Sequence, residues 1–154
     1  MEVIEYFTTD NKQHWLSQLG KCKWTAGKVL YEQLKNGLTE LRIGSDPKVF
    51  LLTDGDKLVS FCALSKKDDV PGYRLTPWIG FVYTFPQYRG HRFAGILLGH
   101  AEHIAYSEGF RNIYISTRYN GLYEKYGYEL YDWQPDNNGD NAMIYMKRLI
   151  NKLP

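Results

Sequence analysis

Residues 78–109 constrain the fold more than any other stretch. An apolar run over 78–85 stops at Pro86, a short segment carrying Arg89, Gly90 and Arg92 follows, and then Phe93, Ile96, Leu97, Ala101, Ile104 and Ala105 recur with helical period. The pattern predicts strand, loop and helix, with Gly109 ending the helix because glycine accepts the left-handed backbone found just past a helix C-terminus. The first N–H groups of such a helix lack internal partners and carry the positive end of the peptide dipoles. A glycine-containing loop leading into it can therefore hold a phosphate, with Arg89 and Arg92 as charged donors. Taken alone, the same loop is as readily an ordinary solvated connection. The common nucleotide loops are absent: there is no Gly-x-x-x-x-Gly-Lys-Ser/Thr run and no Gly-x-Gly-x-x-Gly after the strand.

The rest of the chain reads as one domain over 1–154. A strand over 3–7 leads to a helix capped by Thr9 or Asp10, with Trp15, Leu16 and Leu19 inward and Gly20 as its stop. Thr25 opens a second helix, burying Ala26, Val29, Leu30 and Leu34 and closed by Gly37. Residues 48–53 and 57–65 pair as a hairpin around Asp54, Gly55 and Asp56. A strand over 73–85 follows a polar loop, and a right-handed crossover through the long helix places a strand over 111–116 parallel to it. Asn120 then caps a short helix over 121–126 that stops at Gly127, and strands over 128–133 and 142–148 close the chain, joined through 136–140.

Composition narrows the function classes. Nineteen Lys and Arg against 17 Asp and Glu leave a net charge of +2 with no basic block, which argues against nucleic acid and against a polybasic membrane patch. The N-terminus lacks a basic region with an apolar core behind it, and no run is long enough to span a bilayer, so a cytoplasmic location is expected. Cys22 and Cys62 lie far apart and fit neither a zinc spacing nor a disulfide framework. His100 and His103 share a helix face without an obvious third ligand, so no metal is expected. Thirteen Tyr and 4 Trp suit a cleft for a ligand of mixed polarity, although any single tyrosine is as easily core or rim.

Two motifs carry a resemblance. The segment Pro86-Gln-Tyr-Arg-Gly-His-Arg-Phe-Ala94 is similar to the pyrophosphate loop of the GNAT superfamily of acyl-CoA-dependent N-acetyltransferases, Gln/Arg-x-x-Gly-x-Gly/Ala. It aligns as Arg89-x-x-Arg92-x-Ala94. The segment Asn120-Gly-Leu-Tyr-Glu-Lys-Tyr-Gly-Tyr128 resembles the family's Leu/Phe-Tyr-Glu-Lys-x-Gly-Phe. One departure stands out: Arg92 occupies the place of the first motif glycine.

The resemblance implies an α/β (α+β) fold, a mixed and mostly antiparallel central sheet flanked by helices, with a V-shaped splay between two central parallel strands. It implies acetyl-CoA as co-substrate, bound by Val82, Tyr83, Thr84, Arg89, Gly90, His91, Arg92, Phe93, Ala94, Asn120 and Tyr123. The thioester carbonyl would face the N–H groups of Val82 to Thr84, and Tyr123 would be the catalytic acid. The acceptor would be an amine of a small molecule or a protein, read by Trp15, Trp24, Tyr31, Tyr131, Trp133 and Gln134. The strand before the loop lacks the carboxylate that often serves the family as base, which leaves Asp68, Asp69, Glu129, Asp132, or Tyr83 acting through water. Dimers are common among similar proteins, so a homodimer stands among the expectations. The alternative is a non-catalytic acyl-CoA-binding or interaction module of the same fold.

Overall fold

The computed structural model describes residues 1–37, 47–67, 74–136 and 138–151. Its elements are β1 (Glu2–Glu5), α1 (Lys12–Leu19), α2 (Thr25–Asn36), β2 (Lys48–Asp54), β3 (Lys57–Ser65), β4 (Trp78–Thr84), α3 (Phe93–Ser107), β5 (Asn112–Thr117), β6 (Glu129–Pro135) and β7 (Asn141–Arg148). Single 3-10 turns lie at Pro86–Tyr88 and Glu124–Tyr126. The strands form one seven-stranded sheet in the order β1-β2-β3-β4-β5-β7-β6. Every pairing is antiparallel except β4 against β5. The expected mixed, mostly antiparallel sheet flanked by helices is what the chain forms.

Alternation along the strands divides the interior. On β2, Phe50 and Leu52 enter one apolar cluster with Leu97, Leu98, Ala101 and Ala105 of α3, while Val49 and Leu51 enter another with Trp15 and Leu19 of α1 and Leu30 and Leu34 of α2. Period-two side chains on a strand point to opposite faces, so α3 covers one face of the sheet and the α1/α2 pair the other. A third small cluster, Trp78, Tyr114 and Ile144, lies where β4, β5 and β7 meet.

Several local expectations need correcting. Neither Thr9 nor Asp10 caps α1, whose N-cap is Asn11 without a side-chain bond. Gly20 ends α1 with a right-handed backbone, φ −62°. Its lack of a side chain serves Tyr31 instead, because a Cβ there would stand 2.7 Å from Tyr31 Cε1. The strand expected over 73–85 is only Trp78–Thr84, and Tyr73 lies outside the described residues. Ile96 was expected inward but is 46% exposed; Leu98 and Glu102 are buried on α3 instead. The short helix over 121–126 is a single 3-10 turn with Tyr123 at its N-cap, so Asn120 caps nothing there.

What holds that turn is a carboxylate. Glu124 accepts the Gly121 N–H through Oε1 (2.9 Å) and the hydroxyl of Tyr145, a buried residue of β7, through Oε2 (3.0 Å). Its own N–H, the Gly121 N–H and the Tyr145 hydroxyl hold its carboxyl below the ordinary 4.5. A carboxylate depressed in the folded state contributes stability above its unfolded pKa, and that contribution is lost as pH falls through the folded value. Denaturation midpoints of wild type and Glu124→Gln should therefore differ at neutral pH and converge as pH drops from about 5 toward 3. A gap that stays constant would remove the charge from this role. A second test concerns α1–α2 packing, where a Cβ on Gly27 would meet Cys22 Sγ at 2.5 Å. Gly27→Ala should destabilise by about 1–3 kcal/mol through overpacking, against a helix-propensity gain of about 1 kcal/mol. Adding Cys22→Ala should return part of that loss in urea denaturation.

Candidate active site

The parallel pair is short. β4 and β5 share the register Trp78↔Tyr114 and Ile79↔Ile115 and no further pair. On its other edge β4 stays with β3 as far as Ser60↔Thr84. From Gly80 onward one edge of β4 thus has no strand partner, and its backbone polar groups are left for another extended ligand.

A bulge sits at the start of this open edge. The register passes from Phe61↔Tyr83 to Ala63↔Gly80, so β4 carries one residue more than β3 between those pairs. Phe81 absorbs it at φ 54°, a left-handed conformation that is rare for an aromatic residue. The bulge changes the side-chain phase: Phe81 and Tyr83 pack with the α1/α2 cluster, and Val82 packs with the α3 cluster.

Beyond β4 the chain turns through Pro86–Tyr88 into the loop. Gly90 stands at φ 89° and Arg92, the N-cap of α3, at φ 58° and ψ 30°. Arg92 thereby adopts the backbone conformation that glycine would favour, and the side chain does not prevent it. No side chain caps α3 and no acidic residue lies in its first turn. The helix therefore begins with open N–H groups near Phe93 and Ala94. His91 and Arg92 are exposed beside them, and the His91 ring rests 5.3 Å from that of Phe93. Arg89 turns back: its Nε donates to the Thr84 carbonyl (2.9 Å) and its guanidinium lies 5.3 Å over the Tyr83 ring. That leaves its terminal nitrogens as further donors.

Tyr83 is the meeting point of the other face. Trp24, from the α1–α2 connection, stacks on it at 5.6 Å and 6°. Burial and the Cys22 thiol push its hydroxyl above the ordinary value, with Arg89 pulling the other way. It therefore stays protonated at neutral pH. The approach of Trp24 and Cys22 to Tyr83 depends on how α2 docks and leaves no local sign in the sequence.

Tyr123 is buried in the α3-face cluster, its ring 6.1 Å from Tyr128 and close to perpendicular to it. Its carbonyl accepts the N–H groups of Tyr126 (2.9 Å) and Tyr128 (3.3 Å). A polar network fixes this segment to α3 and β7. Tyr128 donates to Glu102 Oε2 (2.8 Å), and Lys147 donates to Glu102 Oε1 and the Tyr126 carbonyl (both 2.9 Å). Burial, with Glu102 beside it, holds the Tyr128 hydroxyl well above its ordinary pKa. Tyr126 also packs onto the first turn of α3, where a Cβ on Gly95 would stand 2.8 Å from its Cε1. The two motifs are in direct contact. Asn120 is exposed on the loop leading into Tyr123.

The remaining candidates divide. Asp68 and Asp69 lie outside the described residues. Glu129 is exposed at the start of β6. The carboxylate of Asp132 accepts the Trp133 N–H (2.7 Å) and Gln134 Nε2 (2.9 Å). Trp15 is buried in the α1/α2-face core, whereas Tyr131 and Trp133 are about half exposed, Tyr131 meeting Tyr114 edge-on at 6.0 Å. His100 packs edge-on against Phe50 at 4.7 Å. Among the described residues no three His, Cys, Asp or Glu side chains are grouped to hold a metal ion. No helix there is long and apolar enough to cross a membrane.

Comparison with known proteins adds to this geometry. The chain superposes on a GNAT-family protein from Desulfovibrio desulfuricans with a TM-score of 0.72 at 14% identity, over 97% of this chain and 99% of that one. An aminoglycoside 6'-acetyltransferase type Ii gives a TM-score of 0.71 at 21% identity, over 99% of this chain and 100% of that one. An aminoglycoside 6'-N-acetyltransferase complexed with coenzyme A gives 0.67 at 16% identity, over 100% of both chains. At these identities the likeness shows the fold alone. No curated protein matches the chain. The sequence model of the Acetyltransferase (GNAT) family matches residues 12–128, and with its motifs, sheet order and parted parallel strands the chain belongs to the GNAT acetyltransferase family.

Proposed function

We propose that the protein transfers an acetyl group from acetyl-CoA to a primary amine of a small molecule or protein, by direct attack of the amine in a ternary complex. One observation carries this reading: β4 leaves β5 after Ile79, and the uncapped N-terminus of α3 lies just beyond the end of that open edge. The open edge offers backbone partners to an extended arm, and the helix start with Arg92, His91 and the guanidinium of Arg89 offers donors to a pyrophosphate. The coenzyme A complex of a structural neighbour supports the same reading.

Acetyl-CoA supplies the acyl group as a thioester. The chain brings both reactants into one orientation, worth several kcal/mol of the barrier. N–H groups of Val82 to Thr84 act as fixed donors where charge builds on the thioester oxygen. A lysine-like acceptor, with a pKa of roughly 10.4, costs about 4–5 kcal/mol to deprotonate at neutral pH. Its proton leaves through water past Tyr83, whose hydroxyl remains protonated and so relays it without retaining it. As the amine nitrogen bonds to the acyl carbon and the C–S bond breaks, Tyr123 gives its proton to the departing sulfur. Complete transfer from a phenol of pKa about 10 to a thiolate of about 8.5 is uphill by roughly 2 kcal/mol.

Calorimetric titration with acetyl-CoA, followed by free-thiol release across an amine panel, tests the reading. Binding in the micromolar range with thiol release for at least one amine is expected. Binding without release would favour the non-catalytic module, and no binding would end the assignment. Arg92→Gly should keep the fold, since glycine removes a left-handed strain of about 1–2 kcal/mol. It should weaken acetyl-CoA several-fold by losing one charged donor. Arg89→Ala should cost more, because it also frees the Thr84 carbonyl. Tyr123→Phe should lower kcat by about a hundredfold, the weak end for acid catalysis, with a smaller effect on the KM for acetyl-CoA because the ring is kept. Unchanged turnover would take Tyr123 out of the acid role.

A further inference from the structure

A cavity of about 590 Å³ lies on the α1/α2 face, outside the helix-start site, and is lined by residues that include Lys21, Lys23, Lys57, Tyr83 and Tyr88. The lysines come from two places, Lys21 and Lys23 from the α1–α2 connection and Lys57 from the start of β3. Asp56 is the one carboxylate of the lining. Among the described residues none of the three lysines forms a salt bridge. Gln18 also lines the cavity, and its amide oxygen accepts the Leu58 N–H (3.4 Å), which leaves its NH2 as a donor. The apolar share of the wall is largely aromatic, Tyr83, Phe85 and Tyr88, with Leu58 and Pro86 beside them. The size falls within the range usual for small-molecule sites, about 300–1,000 Å³.

We infer that this cavity holds the acceptor, and that the acceptor is an amine carrying an anionic group, a carboxylate or a phosphate, on an apolar or aromatic body. The inference rests on the acetyltransferase reading above. Tyr83 belongs to both places: it lines the cavity and it stands on the open segment of β4. A ligand against its ring lies next to the backbone assigned to the thioester carbonyl. Three ammonium groups against one carboxylate attract an anion and repel a polycation. The aminoglycosides named for two structural neighbours are thus poor candidates for this chain. The anionic group would be held by the lysines, the body by the aromatic wall, and the amine would project toward β4.

The test compares matched acceptors with the protein: tyrosine against tyrosine amide for a carboxylate, phosphoethanolamine against ethanolamine for a phosphate, and kanamycin as a polycation. Each is run with wild type and with the Lys21→Gln, Lys23→Gln, Lys57→Gln triple variant, and acetyl-CoA binding is measured separately by calorimetry. The lysines are exposed, so the triple variant keeps the fold. Expected are a lower KM for the anionic member of at least one pair and a rise of that KM by about tenfold in the triple variant. The KM should also rise with salt, while the neutral partner and the acetyl-CoA Kd move less than twofold. Preference for kanamycin or for both neutral amines, or an anionic-acceptor KM indifferent to the triple variant, overturns the inference while leaving the acetyltransferase intact. A variant that weakens only acetyl-CoA assigns the cavity to the donor and also overturns it. Wild type that binds no acetyl-CoA sinks the underlying reading itself.

Discussion

β4 has to satisfy two neighbours at once, and the fold depends on how it does so. Along β3 it needs a continuous antiparallel ladder; against β5 it keeps only the register Trp78↔Tyr114 and Ile79↔Ile115. The extra residue between Gly80 and Tyr83 lets both conditions hold, because a bulge bends its strand and alters the twist without breaking the ladder on either side. The left-handed Phe81 costs on the order of 1–3 kcal/mol. Its ring packs against the α1/α2-face cluster, and the neighbouring Tyr83 is fixed by Trp24, Phe61, Phe85 and Arg89. Packing on that face therefore maintains an opening in the sheet.

Much of this architecture was legible in the chain. The turn residues Asp54, Gly55 and Asp56 gave the hairpin over 48–65, alternation gave the strand over 111–116, and the crossover rule gave the parallel pair. What failed failed for specific reasons. Gly20 marked a helix end correctly, but as a site of close approach to Tyr31, which depends on docking between α1 and α2 and leaves no local sign. Ile96 satisfied the helical period yet lies beyond the covered stripe, because α3 presents Leu97, Leu98, Ala101 and Ala105 to the sheet. Asn120 looked like a cap, but the turn has no side-chain cap and is held instead by Glu124, which reaches back to Gly121 and across to Tyr145, a partner far away in sequence.

The candidate site divides along the same line. Its helix-start half is local, contained within ten residues around Arg89 and Arg92, so a motif could display it. The departure at Arg92 in place of glycine proves compatible with the loop, since the arginine takes the left-handed backbone itself. The aromatic and basic half is assembled from α1, its connection to α2, the start of β3 and the end of β4. Lys21, Lys23 and Lys57 look like solvated surface charges in sequence, and only the sheet and helix packing put them around one space.

Tyr88 ties the two halves together. It lines the basic cavity, packs against both major apolar clusters, and lies one residue before Arg89. A shift of α1 and α2 on their face would be transmitted through Tyr83 and Tyr88 to the loop that starts α3, because packed side chains move by discrete rearrangement and do not yield continuously. On the proposed reading the anion of the acceptor and the pyrophosphate of acetyl-CoA are held on either side of this one aromatic hinge region. Occupancy of one site then bears on the geometry of the other, and by linkage the coupling between the two ligands is reciprocal. On that reading the loop end of β4 is where donor binding, acceptor binding and the opening of the sheet share the same few side chains.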